Sequence, residues 1–442
     1  MKMTTSFTRG PRYPAPDVAR GFMLLLIAIA NVPVWLIAAS DYSNVVISPP
    51  LLHGADAVWV LVRTLLVDQR SIPLFAMLFG FGLMTMINRR IESGTQEYLK
   101  ALPGADQGAV PHPVQEAWAR EQATVDARRL VRRRGWWMIL FGAVHGLLFF
   151  GDIIGAYGLA AVVFAGWLAR KHWGRALAVC IGIIVIICVV MLAQGWWIAV
   201  GMEQYAAQTG RDVSEFSTGT GFRLSWPLIN IIMWPIGTML SSVVSVVVPA
   251  MFIGARLADT DLLVHPERHR GLLIAVGLVG LGLAALGAYP HARYVIGHAP
   301  AVVVGPMLAQ ITGLLGACGW LALLSLYAGG PRPDGRLTGL RWLASAVGRR
   351  SMTAYLCQTF VFGAVLGVIP WALGVEVSIS PFVAGLIAVA TWGATVVLCA
   401  VLERQGRPGP FETLLRTAVA RSASPRPVAP AMPMPQAPSG QA

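Results

Sequence analysis

DVARGFMLLLIAIANVPVWLIAA, residues 17–39, begins with Asp17 and Arg20 and then carries no charge from 21 to 39. A helix needs roughly 20 mostly apolar residues to cross a hydrocarbon core of about 30 Å, and this block supplies them. Lys2, Arg9 and Arg12 precede it and Ala38-Ala39-Ser40 imitates a cleavage site. The apolar run nevertheless exceeds the roughly 7 to 15 residues of a secretory signal, and similar blocks follow. The segment is expected to stay as a first membrane span.

The pattern recurs along the 442 residues, and the predicted spans are 18–39, 72–88, 134–150, 153–169, 176–200, 226–256, 271–289, 300–327, 351–370 and 380–402. The fold class predicted is all-α, a polytopic transmembrane bundle of about ten helices. The chain is 56% hydrophobic and only 12% charged, with mean hydropathy +0.63, too few charges for an ordinary soluble domain. The net charge of +13 does not indicate nucleic acid, because the basic residues fall between apolar blocks rather than along one face. They report orientation instead. With both termini cytoplasmic, 29 of the 34 lysines and arginines lie inside, leaving Arg63, Arg70, Arg211, Arg223 and Arg293 outside, the asymmetry of the positive-inside rule. A span through 51–68 would put the basic loop 89–134 outside, so that segment is read as an outer interfacial or re-entrant helix.

Residues 1–416 therefore read as one transmembrane domain in the inner membrane of a bacterium, with 226–416 as its C-terminal half. The loop after Arg89 is turn-rich around Pro103, Gly104, Pro111 and Pro113, then turns helical near Val114 and runs into the third span. Residues 417–442 are rich in Pro and Ala and are expected to be disordered, most plainly from about 420, because such a composition cannot offset its ordering entropy. The five cysteines lie in apolar blocks, so no disulfide is expected.

Ionisable groups within a bilayer cost about 2.5 kcal/mol or more, and each needs a reason. His145, in FGAVHGLLFFGDIIGAYGL (141–159), lies about 16 Å beyond Arg134 along a helix, with Gly142 and Gly146 thinning the helix beside it. It reads as a base or as a structural histidine bonded to a neighbouring helix. Asp152 falls on the same helical face but about 10 Å further on, out of direct reach unless Gly151 lets the chain fold back; it reads equally as a helix cap. Asp17 and Arg20, three apart, can pair at the membrane boundary, and Arg20 suits an anionic ligand because guanidinium binds phosphate bidentately. Arg132, Arg133 and Arg134 could share that ligand or simply mark topology. His53, Asp56, Asp68 and Arg70 could line an outward pocket or a solvated helix. Thr353, Tyr355 and Gln358 can present polar groups inward or bond between helices. Nucleotide-binding GxxxxGK[ST], zinc-binding HExxH and paired cysteine ligands do not occur, and no metal is expected.

Five blocks, DVARGFMLLLIAIANV (17–32), RSIPLFAMLFGFGL (70–83), the His145 block, VGRRSMTAYLCQTF (347–360) and GPFETLLR (409–416), resemble the YeiB-like membrane proteins that carry the domain of unknown function 418. Ala354 and Thr413 depart from that pattern, where the family usually has Asn and an aromatic. The DxxRG opening is also similar to that of membrane acyltransferases such as heparan-alpha-glucosaminide N-acetyltransferase. This resemblance implies transfer from cytoplasmic acetyl-CoA or another acyl-CoA, with no covalently bound cofactor, to an envelope glycan or small-molecule acceptor outside. In that scheme Arg20 holds phosphates, His145 is the general base, and Asp152 orients it. Asp17, Arg70, Asp56, Tyr355 and Gln358 are the remaining candidate ligand-binding residues. The rival expectation is a transporter of a small polar or lipid-linked solute using the same polar groups as a binding site; a scaffold without turnover is the third.

Overall fold

Apolar blocks of these lengths satisfy their backbone groups in a bilayer as helices or closed barrels, and the chain takes the first course. The computed structural model describes residues 13–39, 49–102, 111–149, 151–201, 204, 207–208, 226–331, 337–375, 377 and 379–423, and no strand occurs among them. The elements are α1 (Pro14–Ala39), α2 (Gly54–Leu66), α3 (Ser71–Lys100), α4 (Pro113–Gly146), α5 (Ile154–Ala169), α6 (Trp173–Trp196), α7 (Trp226–Val243), α8 (Val247–Leu257), α9 (Arg270–Val295), α10 (Gly305–Ala328), α11 (Gly339–Gly348), α12 (Ser351–Phe362), α13 (Ile369–Leu373), α14 (Pro381–Arg404) and α15 (Pro410–Arg421).

Among the described residues seven helical segments are long and apolar enough to cross a membrane, or eight if α7 and α8 count as one span. Of the ten predicted spans, the third lies in the apolar second half of α4, whose first half is charged, and the fourth on α5, only 16 residues long. The charged helix foreseen from Val114 is continuous with that third span. The predicted span 226–256 is broken within its length: α7 and α8 meet at 56°. At the break Ser245 donates to the Ser241 carbonyl and its Oγ accepts from the Val247 amide at 3.2 Å, so hydroxyls replace helical backbone bonds. α2 spans about 20 Å, too short to cross alone, and forms one apolar stretch with α3. The disordered tail expected over 417–442 is corrected at its start, since α15 carries the helix to Arg421; its part beyond 423 and the turns at Pro103 and Gly104 lie outside the described residues. All five cysteines are free.

The bundle is built inside out relative to a water-soluble protein. α6 and α9 are the most apolar segments and the least buried, with Leu177, Val189, Leu278 and Leu286 each exposed. Such a surface is tolerable against lipid and aggregation-prone in water. α1 lies centrally, touching α3, α10, α11, α12 and α14. Without a hydrophobic force between helices in lipid, close backbone approach at small residues drives association. α3 and α8 show it reciprocally: a Cβ on Gly80 would lie 2.0 Å from the Met251 carbonyl oxygen, and one on Gly254 would lie 1.9 Å from that of Met77.

Gly254→Val is therefore expected to cost about 2 kcal/mol or more through overpacking, read as a lower unfolding temperature in detergent. Gly282→Ala, whose methyl meets nothing within 4 Å, is expected to be neutral or mildly stabilising through helix propensity. Equal unfolding temperatures for the two variants would refute the α3–α8 contact.

Candidate functional site

α4 stops at Gly146 and α5 starts at Ile154. The break brings together two residues that a straight helix would hold apart: His145 Nδ1 lies 2.7 Å from Asp152 Oδ1. Glycines make the room. A Cβ at Gly142 would strike Asp152 Oδ2 at 2.5 Å, and one at Gly146 would strike the Trp234 ring of α7 at 2.1 Å.

The Asp152 side chain is fully buried and receives four donors. Oδ1 accepts from His145 and from the Ile154 amide (3.2 Å); Oδ2 accepts from the Gly155 amide (2.7 Å) and from Trp234 Nε1 (3.3 Å). The two amides are orphan donors of the α5 N-terminus, where the helix dipole favours an anion. Asp152 thus caps a helix and orients a histidine at once. With every contact to the carboxylate a donor, Nδ1 carries a proton, and in the neutral ring Nε2 then keeps its lone pair. Nε2 faces Thr359 Oγ1 of α12 at 2.9 Å, which donates to it. The line Asp152–His145–Thr359 has the geometry of an oriented base beside a hydroxyl.

Aromatic rings close around it. Tyr355, one turn before Thr359, has its ring centroid 5.2 Å from that of His145, and Phe149 lies at 6.1 Å and stacks on Trp35 of α1 at 5.3 Å. The Tyr355 hydroxyl is buried beside the Ile153 backbone without reaching hydrogen-bond geometry among the described residues. Gln358 donates to the Leu24 carbonyl at 3.3 Å, tying α12 to α1, while its Oε1 has no partner among the described residues.

The other predicted positions lie elsewhere. Arg70 is wholly buried and donates to the carbonyls of Thr64, Asp68 and Ala284. It fastens the α2–α3 turn, where Gln69 has φ +62°, to α9, so its guanidinium is engaged with backbone rather than turned to a pocket. Asp56 accepts from the Phe382 amide at 2.8 Å and caps α14. Asp17 and Arg20 pair at 3.2 Å as their spacing foresaw, and Arg20 also donates to the Leu78 carbonyl at 3.0 Å. The sequence reading missed Thr359 and Trp234.

A cavity of about 340 Å³ is lined by Ile29, Val32 and Leu36 of α1 together with Trp59, His291 and Gln310, and not by His145 or Asp152. Among the described residues no cluster of three His, Cys, Asp or Glu side chains is placed to hold a metal.

The comparisons with known proteins bear on the C-terminal part. Residues 257–422 match the family model described as "Protein of unknown function (DUF418)", a stretch that includes Tyr355, Gln358 and Thr359 but neither His145 nor Asp152. No curated protein and no solved structure matches the chain.

Removing the carboxylate tests the local account. Asp152→Ala leaves buried donors from four groups unanswered, at roughly 1–3 kcal/mol for each one that water cannot reach, so a large loss of thermal stability is expected. Thr359→Val keeps the shape, removes one neutral bond and should cost about 1 kcal/mol. A fully stable Asp152→Ala protein would contradict the capping role.

Proposed function

We propose for this chain, which belongs to the DUF418 family over residues 257–422, the activity of a membrane acyltransferase in the bacterial inner membrane, its arginine-rich end facing the cytoplasm. The acyl donor is acetyl-CoA or another acyl-CoA, and the acceptor is a hydroxyl or amine of an envelope glycan or small molecule presented from the outer side.

The observation that carries the reading is the buried Asp152–His145–Thr359 line. Histidine is the side chain whose ordinary pKa suits a general base near neutral pH, and here its free lone pair is aimed at a hydroxyl. In the reaction Thr359 turns aside and the acceptor's O–H or N–H takes its place. Nε2 removes that proton as the acceptor atom forms a bond to the thioester carbonyl carbon. The carbon–sulfur bond then breaks, and the leaving thiolate recovers the proton from the imidazolium as free CoA. Asp152 stabilises the cation in between. The buried Tyr355 hydroxyl is a candidate donor to the carbonyl oxygen as charge develops there.

The cavity beside α1 supports a second reading, a transporter that holds a solute there without chemistry. Its lining joins apolar walls to Arg63, Gln69 and Gln310, as an amphiphilic solute requires.

The two readings separate in proteoliposomes supplied with acyl-CoA on one side and candidate acceptors on the other. Acyl transfer requires acceptor-dependent release of CoA thiol, lowered by about a hundredfold or more in His145→Ala. Thr359→Val should keep most of the activity, because the acceptor, not Thr359, attacks the thioester carbonyl carbon. Solute movement into sealed vesicles with no thiol release, or thiol release indifferent to His145→Ala, would overturn the acyltransferase reading.

A further inference from the structure

At the end of the bundle where α11 meets α12 and α14 meets α15, Arg349, Arg350, Arg407 and Arg416 line a largely polar cavity of about 240 Å³ with a single acid, Glu403. That acid is spent: its two oxygens take Arg349 and Arg350, each at 2.6 Å. Arg350 is itself buried, at 4% exposure, and donates to the carbonyls of Ala346 and Arg407. It therefore belongs to the framework, holding the turn that carries Arg407. Arg407 and Arg416 are exposed and form no ion pair among the described residues.

Around this concavity the described groups are thus four arginines, Arg349, Arg350, Arg407 and Arg416, against Glu403, a surplus of three positive charges. Like charges gathered in this way repel unless an anion joins them, and a concave, low-dielectric wall focuses their field. A topology signal alone needs basic residues on one side of the membrane; it does not need them turned into a shared cavity.

We propose that this cavity is a phosphate-binding site, in which Arg407 and Arg416 grip a phosphoryl or pyrophosphoryl group over the Arg349–Glu403–Arg350 floor. Guanidinium forks match phosphate oxygens bidentately. The ligand is a soluble phosphorylated or pyrophosphate-bearing molecule, or the phosphate headgroup of a membrane lipid. α12 starts at this cavity and ends at the histidine site: from Arg350 to Thr359 is nine residues, about 13 Å of helix. A donor anchored here by its phosphates would need an arm of about that reach to bring its reactive end to His145. That last step rests on the acyl-transfer reading, whereas the phosphate site does not.

The test uses the full-length protein, wild type and Arg407→Gln/Arg416→Gln, in neutral detergent and in nanodiscs of zwitterionic or anionic phospholipid. A ligand that binds the folded state raises its unfolding temperature. Sodium pyrophosphate is expected to stabilise the wild type beyond sodium chloride of equal ionic strength, with at least tenfold weaker binding in the double variant. The unliganded variant should match the wild type, since both side chains are exposed; Arg407→Gln alone repeats the test if it does not. Stabilisation that instead appears in anionic nanodiscs and is competed by pyrophosphate assigns the same site to a lipid headgroup. Wild type and variants that respond equally to pyrophosphate and to anionic lipid would overturn the proposal. Pyrophosphate binding that depends on the arginines, with no thiol release from any acyl-CoA, would leave the site standing and remove acyl transfer.

Discussion

An ionised carboxylate enclosed in an apolar bundle must find partners within the protein, because neither lipid nor bulk water can supply them. Asp152 finds four, and they come from three different parts of the chain: the last turn of α4, the first amides of α5, and the indole of α7. Much else is arranged around that requirement. α4 has to end at Gly146 so that the chain can return, Gly142 has to lack a side chain so that the carboxylate can approach, and Trp234 has to reach across Gly146 and Gly155. The same bonds that make the carboxylate tolerable fix the tautomer of His145, so the reactivity of Nε2 follows from the cost of burying Asp152.

The fold was legible wherever a block of apolar residues had the length of one span. α1, α6, α10 and α14 coincide with predicted spans because transfer from water to lipid depends on composition over a whole segment, and composition is visible in sequence. The break between α7 and α8 was not legible: residues 226–256 are apolar enough to read as a single crossing, and Ser242 and Ser245 make a kink only when their hydroxyls take backbone partners. The number of crossings suffers in the same way, since α4 mixes a charged half with an apolar half and α5 is short.

The site was legible in part, and for a physical reason in each case. His145 stands out because a histidine amid apolar residues is expensive. Asp152 also stood out, but spacing alone left two outcomes, about 10 Å of separation along a straight helix or a fold-back near Gly151, and only the structure decides for the close approach. Thr359 gave no signal, because a threonine in a membrane helix bonds its own backbone at little cost and its partner is 214 residues away. Arg70 and Asp56 carried the signal of charges near a membrane boundary, yet they serve turns and caps. Helix ends expose unpaired carbonyls and amides, and charged side chains meet that demand as readily as they bind ligands.

The chemistry inferred for this protein depends most directly on which nitrogen of His145 bears the proton. Solid-state nitrogen NMR of histidine-labelled protein in bilayers, with His145→Gln to assign the signal, reads this at neutral pH. The account predicts a neutral ring protonated at Nδ1 and bare at Nε2, with that preference weakened in Asp152→Asn. A ring protonated at Nε2, or a permanently charged imidazolium, would contradict it, because neither leaves a base aimed at Thr359 or at any acceptor that replaces it.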